Sequence, residues 1–352
     1  MIWYEPGIEQ QIEDGFLRKI KQNAKLTDFV RGKERYVTGN GVFFGSRYVP
    51  YLSGIIPISD ETTIALGIAS LYGRAGVIAR DRMLDEKQIL TEEYRLFHQG
   101  FVNGIDNLFD VSKEPGIKDR KVEWQTELQK AMTESDLANQ KEQALHRDNG
   151  CREVNLYTLK DIALLGRKTS LIQIPPKVVG LLTNRVMDGK YLAKAMDSLI
   201  VAIQLCDDLA DIREDLESGF YSAPCATTMR LDKKRGKEDA IRNLFLPGTF
   251  ECFLLLANYK VNEAKDIVTT KLNGGRSKMV TYFDQLSSYL EHIRTEVATY
   301  RQGLKLHPIN HMNFNQLSPV ENVEIDLDQL LSFLERVEPE RISPVSLEIR
   351  EK

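Results

Sequence analysis

A chain of 352 residues is long enough for one large domain or two ordinary ones, and 42% hydrophobic with 28% charged residues suits a globular protein with a sizeable core. A net charge of −4, with no basic stripe interleaved with aromatics, excludes the electrostatic footprint of a nucleic-acid binder. The four cysteines, Cys151, Cys206, Cys225 and Cys252, lie far apart, form no metal-type pair, and read as the reduced thiols of a cytoplasmic protein.

The N-terminus lacks the basic region and apolar core of a signal peptide. A first helix is expected over 6–25, followed by a short loop or strand-like connector over 37–44. The 62–86 stretch reads as a long apolar helix that ends in charge, where Asp81 and Asp85 stand four apart on one face. Taken alone, that pair reads equally well as a surface pair neutralised by Arg82 and Lys87. Over 92–109, Tyr94, Phe97, Phe101 and Ile105 recur on one side of a helix. The 115–146 stretch is polar on nearly all faces, which predicts a surface helix or a partly mobile insertion.

A helix over 154–179 places Lys168 mid-helix among Leu164, Leu165, Leu171 and Ile172. A lysine there is costly unless it meets an anion, or unless it snorkels with its head in water. This neighbourhood, 162–182, is also the best candidate for a membrane span, and Arg167, Lys168, Lys177 and two prolines exclude it. The apolar helix over 191–216 carries Leu192, Met196, Leu199, Ile200 and Ile203 at helical spacing. It ends in Asp207, Asp211 and Asp215, one turn apart on one face, with Asp208 at the edge. A basic loop around 233–235, helices over 248–269 and 275–301, and a proline-punctuated extension with one short helix at 326–336 complete the chain. No strand alternates with helix and no internal repeat appears. The expected fold is therefore one large all-α bundle, divided as an N-terminal helical segment 1–35, a catalytic domain 36–302 and a C-terminal extension 303–352.

Like charges one turn apart destabilise a helix, and no basic residue lies among Asp207, Asp208 and Asp211. The cluster predicts a counter-charge from outside the chain. Mg²⁺ suits it, because that ion takes one or two carboxylates, keeps waters and completes its shell with substrate phosphate. A solvated acidic helix end is the plainer reading. Two helices that each end in aligned carboxylates, with Lys168 between them, would suit a diphosphate.

These residues resemble the class I isoprenoid synthases, above all the trans-prenyl diphosphate synthases and the terpene synthases built on their fold. Gln204-Leu205-Cys206-Asp207-Asp208-Leu209-Ala210-Asp211 is similar to the second aspartate-rich motif, FQxxDDxxD, with Ile203 in place of phenylalanine. Lys168-Thr169 is similar to the pair whose lysine holds the allylic diphosphate, and Tyr157 fits the tyrosine upstream of it. Asp81 and Asp85 fall on the outer positions of the first DDxxD motif, with Arg82 replacing its second aspartate. Gly45-Ser46-Arg47-Tyr48-Val49-Pro50 aligns with the GKRLRP segment. The resemblance covers residues 40–300. It implies an isoprenoid-synthase bundle with a central active-site cavity, Mg²⁺ held by Asp81, Asp85, Asp207, Asp208, Asp211 and Asp215, a prenyl diphosphate substrate, and a homodimer.

The departures are equally informative. Ser46 and Val49 stand where chain-elongating enzymes hold the diphosphate of isopentenyl diphosphate, Arg74 replaces a histidine of the same anion site, and the Arg-Arg-Gly after the first motif is missing. The resemblance then implies an enzyme that ionises an allylic diphosphate and lets the substrate's own double bonds attack the cation, a terpene cyclase. Lys168, Arg80, Arg74 and Gln204 are its expected catalytic residues. Tyr157, Thr169, Phe97 and Phe101 are expected to bind substrate, although an aromatic stripe of this spacing also reads as plain core. Gly76 and Val77, small residues four and five before Asp81, are expected to set pocket depth for a C15 or C20 chain, with Tyr72 as its floor. Prenyl transfer to isopentenyl diphosphate or another acceptor is the rival, kept alive by Arg47, Arg74 and Lys87. Head-to-head synthases, echoed at Asp211–Asp215 and 219–224, are a variant of it, and a non-catalytic regulatory homologue is the third alternative.

Overall fold

Helix α5 (Asp60–Asp85) organises its surroundings. Ser59 starts it by accepting the Thr62 N–H at 3.2 Å, with Asp60 and Glu61 complementing the first-turn dipole. It packs against α1 (Pro6–Ile20), α4 (Tyr48–Ser53) and α6 (Thr91–Val111). The α5–α6 contact interlocks small residues with rings. A Cβ at Gly100 would stand 2.3 Å from the Tyr72 ring, and one at Gly73 would stand 3.0 Å from Phe101. Glycine on each helix lets the partner's ring reach the opposing backbone. Residues 60–84, rather than the expected 162–182, are long and apolar enough to cross a membrane. More than half of that α5 window is buried against neighbouring helices.

This computed structural model describes residues 6–32, 34–38, 45–85, 89–112, 116–146, 157–219, 221–231, 244–245 and 248–306. Among them there is no strand, and the all-α expectation holds. The expected basic loop at 233–235, the extension 303–352 beyond Leu306 and the connector residues 39–44 lie outside the described residues. The first predicted helix stops early, because the Asn23 side chain accepts the N–H groups of Lys25 and Leu26 and starts α2 (Ala24–Val30). Val37 and Thr38 close a short helix, α3 (Glu34–Thr38), rather than opening a connector.

Helix α7 (Lys121–His146) corrects the reading of 115–146 as a surface helix or mobile insertion. Trp124, Leu128, Ala131, Ser135, Ala138 and Glu142, alternately four and three apart, are all buried. Four of those six are small or polar, so hydropathy alone does not reveal the stripe. Trp124 anchors it by donating to Asp106 at 3.0 Å and stacking on Phe109 at 6.4 Å.

The predicted 154–179 helix is broken. It forms α8 (Leu159–Lys168), a 3₁₀ turn (Ser170–Gln173) and α9 (Ile174–Leu182). Lys168 therefore ends α8 instead of lying mid-helix. Pro175 and Pro176 have no N–H for residues 171 and 172 to bond, and they sit in the first turn of α9, where that lack costs nothing. The Asp-rich helix is interrupted too: α10 (Val186–Ala210) yields at Asp211 to α11 (Ile212–Ser218). Where α9 meets α10, a Cβ on Gly180 would lie 2.9 Å from Gly189 Cα. Only a glycine pair permits that crossing. Helix α12 (Ala223–Leu231) and the long α13 (Thr249–Lys271) and α14 (Lys278–Leu306) follow.

The chain divides into two compact units. The first comprises Met1–Ala138, Gly166–Ile200 and Lys260–Ser287, with a core that includes Phe16, Leu52, Leu66, Phe97, Phe101 and Phe283. The second comprises Asn139–Leu165, Val201–Tyr259 and Ser288–Lys352, with Tyr157, Leu205, Leu216 and Phe253 in its core.

Candidate functional site

In the first unit, the end of α5 and the α8–α9 break carry the expected residues. Arg80 and Asp81 are half-buried, and Asp85 closes the helix with its side chain outside the described residues. The Arg80 guanidinium is engaged by α7: Nη1 donates to Ser135 Oγ at 3.0 Å and Nη2 to Asp136 Oδ1 at 2.5 Å. Arg82, standing where the resemblance calls for an aspartate, lies over the Phe29 ring at 5.6 Å. At the break, Ser135 Oγ donates to the Lys168 carbonyl at 2.5 Å, and Ser170 donates to the Ala131 carbonyl. The adjacent Thr169 Oγ1 is buried with no hydrogen-bond partner. A buried hydroxyl without a partner is unfavourable. A ligand oxygen would complete it.

The substrate-pocket candidates also lie in this unit. Phe97 and Phe101 are buried in the α5–α6 contact, Phe97 5.1 Å from the Phe29 ring and 6.3 Å from Tyr72. A Cβ at Gly76 would face α6, 3.6 Å from Phe97 Cβ, while Val77 is half-buried. Phe97, Phe101, Tyr72 and Gly76 therefore share one helix–helix seam. Arg74 is half-buried on the same helix.

In the second unit, the acidic ladder survives the bend at Asp211. The Asp211 N–H donates to the Asp207 carbonyl and the Asp215 N–H to the Asp211 carbonyl, both at 2.9 Å. The one-turn spacing is thus preserved although the helix is not continuous. Asp207 and Asp211 are exposed, and Asp215 is half-buried. Burial raises the Asp215 carboxyl to about 6, and its neighbours Asp211, Glu214 and Asp207 push the same way. Asp208, expected at the edge of the cluster, is its most buried member at 9% exposure and accepts from Gln204 Nε2 at 2.9 Å.

Tyr157 lies just ahead of α8, fully buried. Burial, then the charges of Glu142, Asp208, Asp215 and Asp161, hold its hydroxyl protonated far above the usual phenol range. Tyr157, Gln204, Asp208 and Asp215 are therefore gathered, and Glu142 joins them unannounced. Only its place on the buried α7 stripe could have revealed it. Asp161 is stabilised separately: Thr158 donates to it from N–H at 2.8 Å and from Oγ1 at 2.7 Å, and Lys141 pairs with it. Among the described residues, no three His, Cys, Asp or Glu side chains converge as a ready metal cage.

The GKRLRP-like segment is turned onto α1. Ser46 is buried and donates to Glu13 Oε1 at 2.7 Å, while Arg47 Nε pairs with Glu9 Oε2 at 3.1 Å. Val49 is buried beside them in the sequence. Sequence reasoning identified the missing charges at 46 and 49 but not the two glutamates, which lie more than thirty residues earlier.

No family model and no curated protein matches the chain. A geranylgeranyl pyrophosphate synthetase from the archaeon Geoglobus acetivorans matches in structure, with a TM-score of 0.54 and 17% identity, over 81% of this chain and 99% of that one. The chain thus has the isoprenoid synthase fold.

Proposed function

We propose that the protein is a class I terpene synthase, which ionises a C15 or C20 prenyl diphosphate with Mg²⁺ and lets the substrate's own double bonds capture the cation. The observation that carries this reading is the Glu9–Arg47 and Glu13–Ser46 clasp. In chain-elongating relatives this segment holds a second diphosphate. Here a diphosphate would find Arg47 already paired with Glu9 and would meet a further carboxylate, Glu13, whose repulsion is about 3 kcal/mol per charge pair at ~5 Å and an effective dielectric near 20.

The donor set fits Mg²⁺, a hard ion that takes carboxylate oxygens: Asp211, Glu214 and Asp207 add negative charge around Asp215, whose carboxyl burial has already raised to about 6. Asp207, Asp211 and Asp215 on the second unit would hold Mg²⁺, and Asp81 and Asp85 would be the corresponding ligands on the first; the metal would supply charge neutralisation to the departing diphosphate. Lys168 adds a fixed positive charge, and the Thr169 hydroxyl donates to a diphosphate oxygen. Gln204 orients Asp208, and Tyr157, kept protonated, remains a donor beside that carboxylate. The packed α5–α6 seam keeps water from a cation formed against it.

Prenyl transfer is the second reading, supported by the fold shared with a geranylgeranyl pyrophosphate synthetase. Incubation with farnesyl or geranylgeranyl diphosphate alone and Mg²⁺ separates the two. Cyclisation predicts diphosphate release with hydrocarbon or alcohol products. A strict requirement for isopentenyl diphosphate overturns it.

A further inference from the structure

A helix that continued through residue 172 would satisfy the Lys168 carbonyl with the Ile172 N–H. Here Ile172 N–H donates instead to the Thr169 carbonyl at 2.9 Å, so the Lys168 carbonyl needs another donor. Ser135, on α7, supplies it at 2.5 Å. A serine hydroxyl has one proton to donate and lone pairs to accept with. Its proton goes to Lys168, and its oxygen accepts from Arg80 Nη1 at 3.0 Å. Accepting from a guanidinium polarises the hydroxyl and strengthens the bond it donates. Asp136 holds the other arm of Arg80. Ser135 itself is 3% exposed, so no bulk water stands ready to replace it.

We propose that Ser135 is a positioning residue: locked by Arg80, its hydroxyl captures the Lys168 carbonyl at the α8–α9 break and sets where the Lys168–Thr169 pair stands. Arg80 then acts through Ser135 and not by touching the diphosphate. Because Arg80 is the chain neighbour of Asp81, the relay also ties the acidic end of α5 to the lysine. The contact is one of several between α7 and this segment. Arg167 pairs with Glu134 at 2.9 Å and Lys177 with Glu127 at 2.8 Å. Ser135 differs from these in bonding the backbone of the lysine itself. The inference rests on the reading of Lys168–Thr169 as a diphosphate contact.

The test is a double-mutant cycle on the full chain, read by calorimetric binding of inorganic pyrophosphate with Mg²⁺ and by diphosphate release from geranylgeranyl diphosphate. Ser135→Ala is expected to weaken pyrophosphate binding about five- to tenfold, the size of one hydrogen bond carried through to the anion. In a Lys168→Met background the same change should have no further effect. Ser135→Thr, which keeps the hydroxyl, should restore binding, and Ser135→Cys, whose thiol is only a weak donor, should show the same loss and stands in if the alanine variant does not fold. Lys177→Met, which breaks a different α7 contact, should lower the melting temperature without weakening pyrophosphate. Equal losses from Ser135→Ala with and without Lys168, or full binding in Ser135→Ala, overturn the positioning role alone. A wild-type chain that binds no pyrophosphate, or a Lys168→Met chain that binds it unimpaired, overturns the diphosphate reading of the site and this inference with it.

Discussion

Replacing Asp197 with asparagine should stabilise the protein, and by an amount that depends on pH. Asp197 lies on α10 and accepts from Gln173 Nε2. Burial raises its carboxyl to about 6 from 3.8, with Glu134 pushing the same way and Arg167 and Lys177 only partly offsetting them. The folded state therefore binds the proton more tightly than the unfolded chain does. The group's contribution is favourable at low pH and is lost as pH rises from about 4 through 6. That rise corresponds to about 3 kcal/mol, and residual contact with water reduces this to about 2 kcal/mol. Asparagine keeps an oxygen for Gln173 and carries no charge to desolvate. Urea unfolding of Asp197→Asn and wild type at pH 4.5, 6 and 8 should show an advantage that grows from about 0.5 to about 2 kcal/mol and levels off above pH 7. A difference that does not vary with pH, or a loss of stability at pH 8, refutes the assignment of a buried, strained carboxylate.

Gly180→Ala should cost about 2–3 kcal/mol, because the new Cβ would meet the Gly189 Cα and the Arg185 carbonyl, both at 2.9 Å and both backbone. Gly275→Ala, with nothing within 4 Å, is the control and should leave the urea midpoint unchanged. Burial pushes the Cys206 and Cys225 thiols up to about 12. At pH 8 roughly one in 10⁴ of each is thiolate, against about a quarter for a free cysteine. Iodoacetamide labelling followed by mass spectrometry should find both unmodified in the folded protein and both labelled in urea; rapid labelling of either in the folded state contradicts its burial.

The elements that were legible in the sequence are those whose signal is local. The apolar period of α5, α6 and α10 is written within each helix, as is the aspartate ladder, whose one-turn spacing is a property of the backbone and outlasts even the bend at Asp211. Lys168 stands out as a charge beside an apolar run, which is visible without a partner, whereas Thr169 and Gln204 enter only through the motifs that the chain resembles. What those groups touch was not visible, since each partner comes from a distant helix. Ser135 gains its role only when α7 lies against Lys168, thirty-three residues on. Glu9 answers Arg47, and Glu13 accepts from Ser46, only when α1 packs beside that segment. The α7 stripe is hidden for the same reason: alanine, serine and glutamate carry too little hydropathy to mark a buried face. The local sequence determined which helices form and which charges they carry. Packing decided where they break and which charges are already answered within the chain, because burial and hydrogen bonding depend on neighbours that only the folded chain supplies.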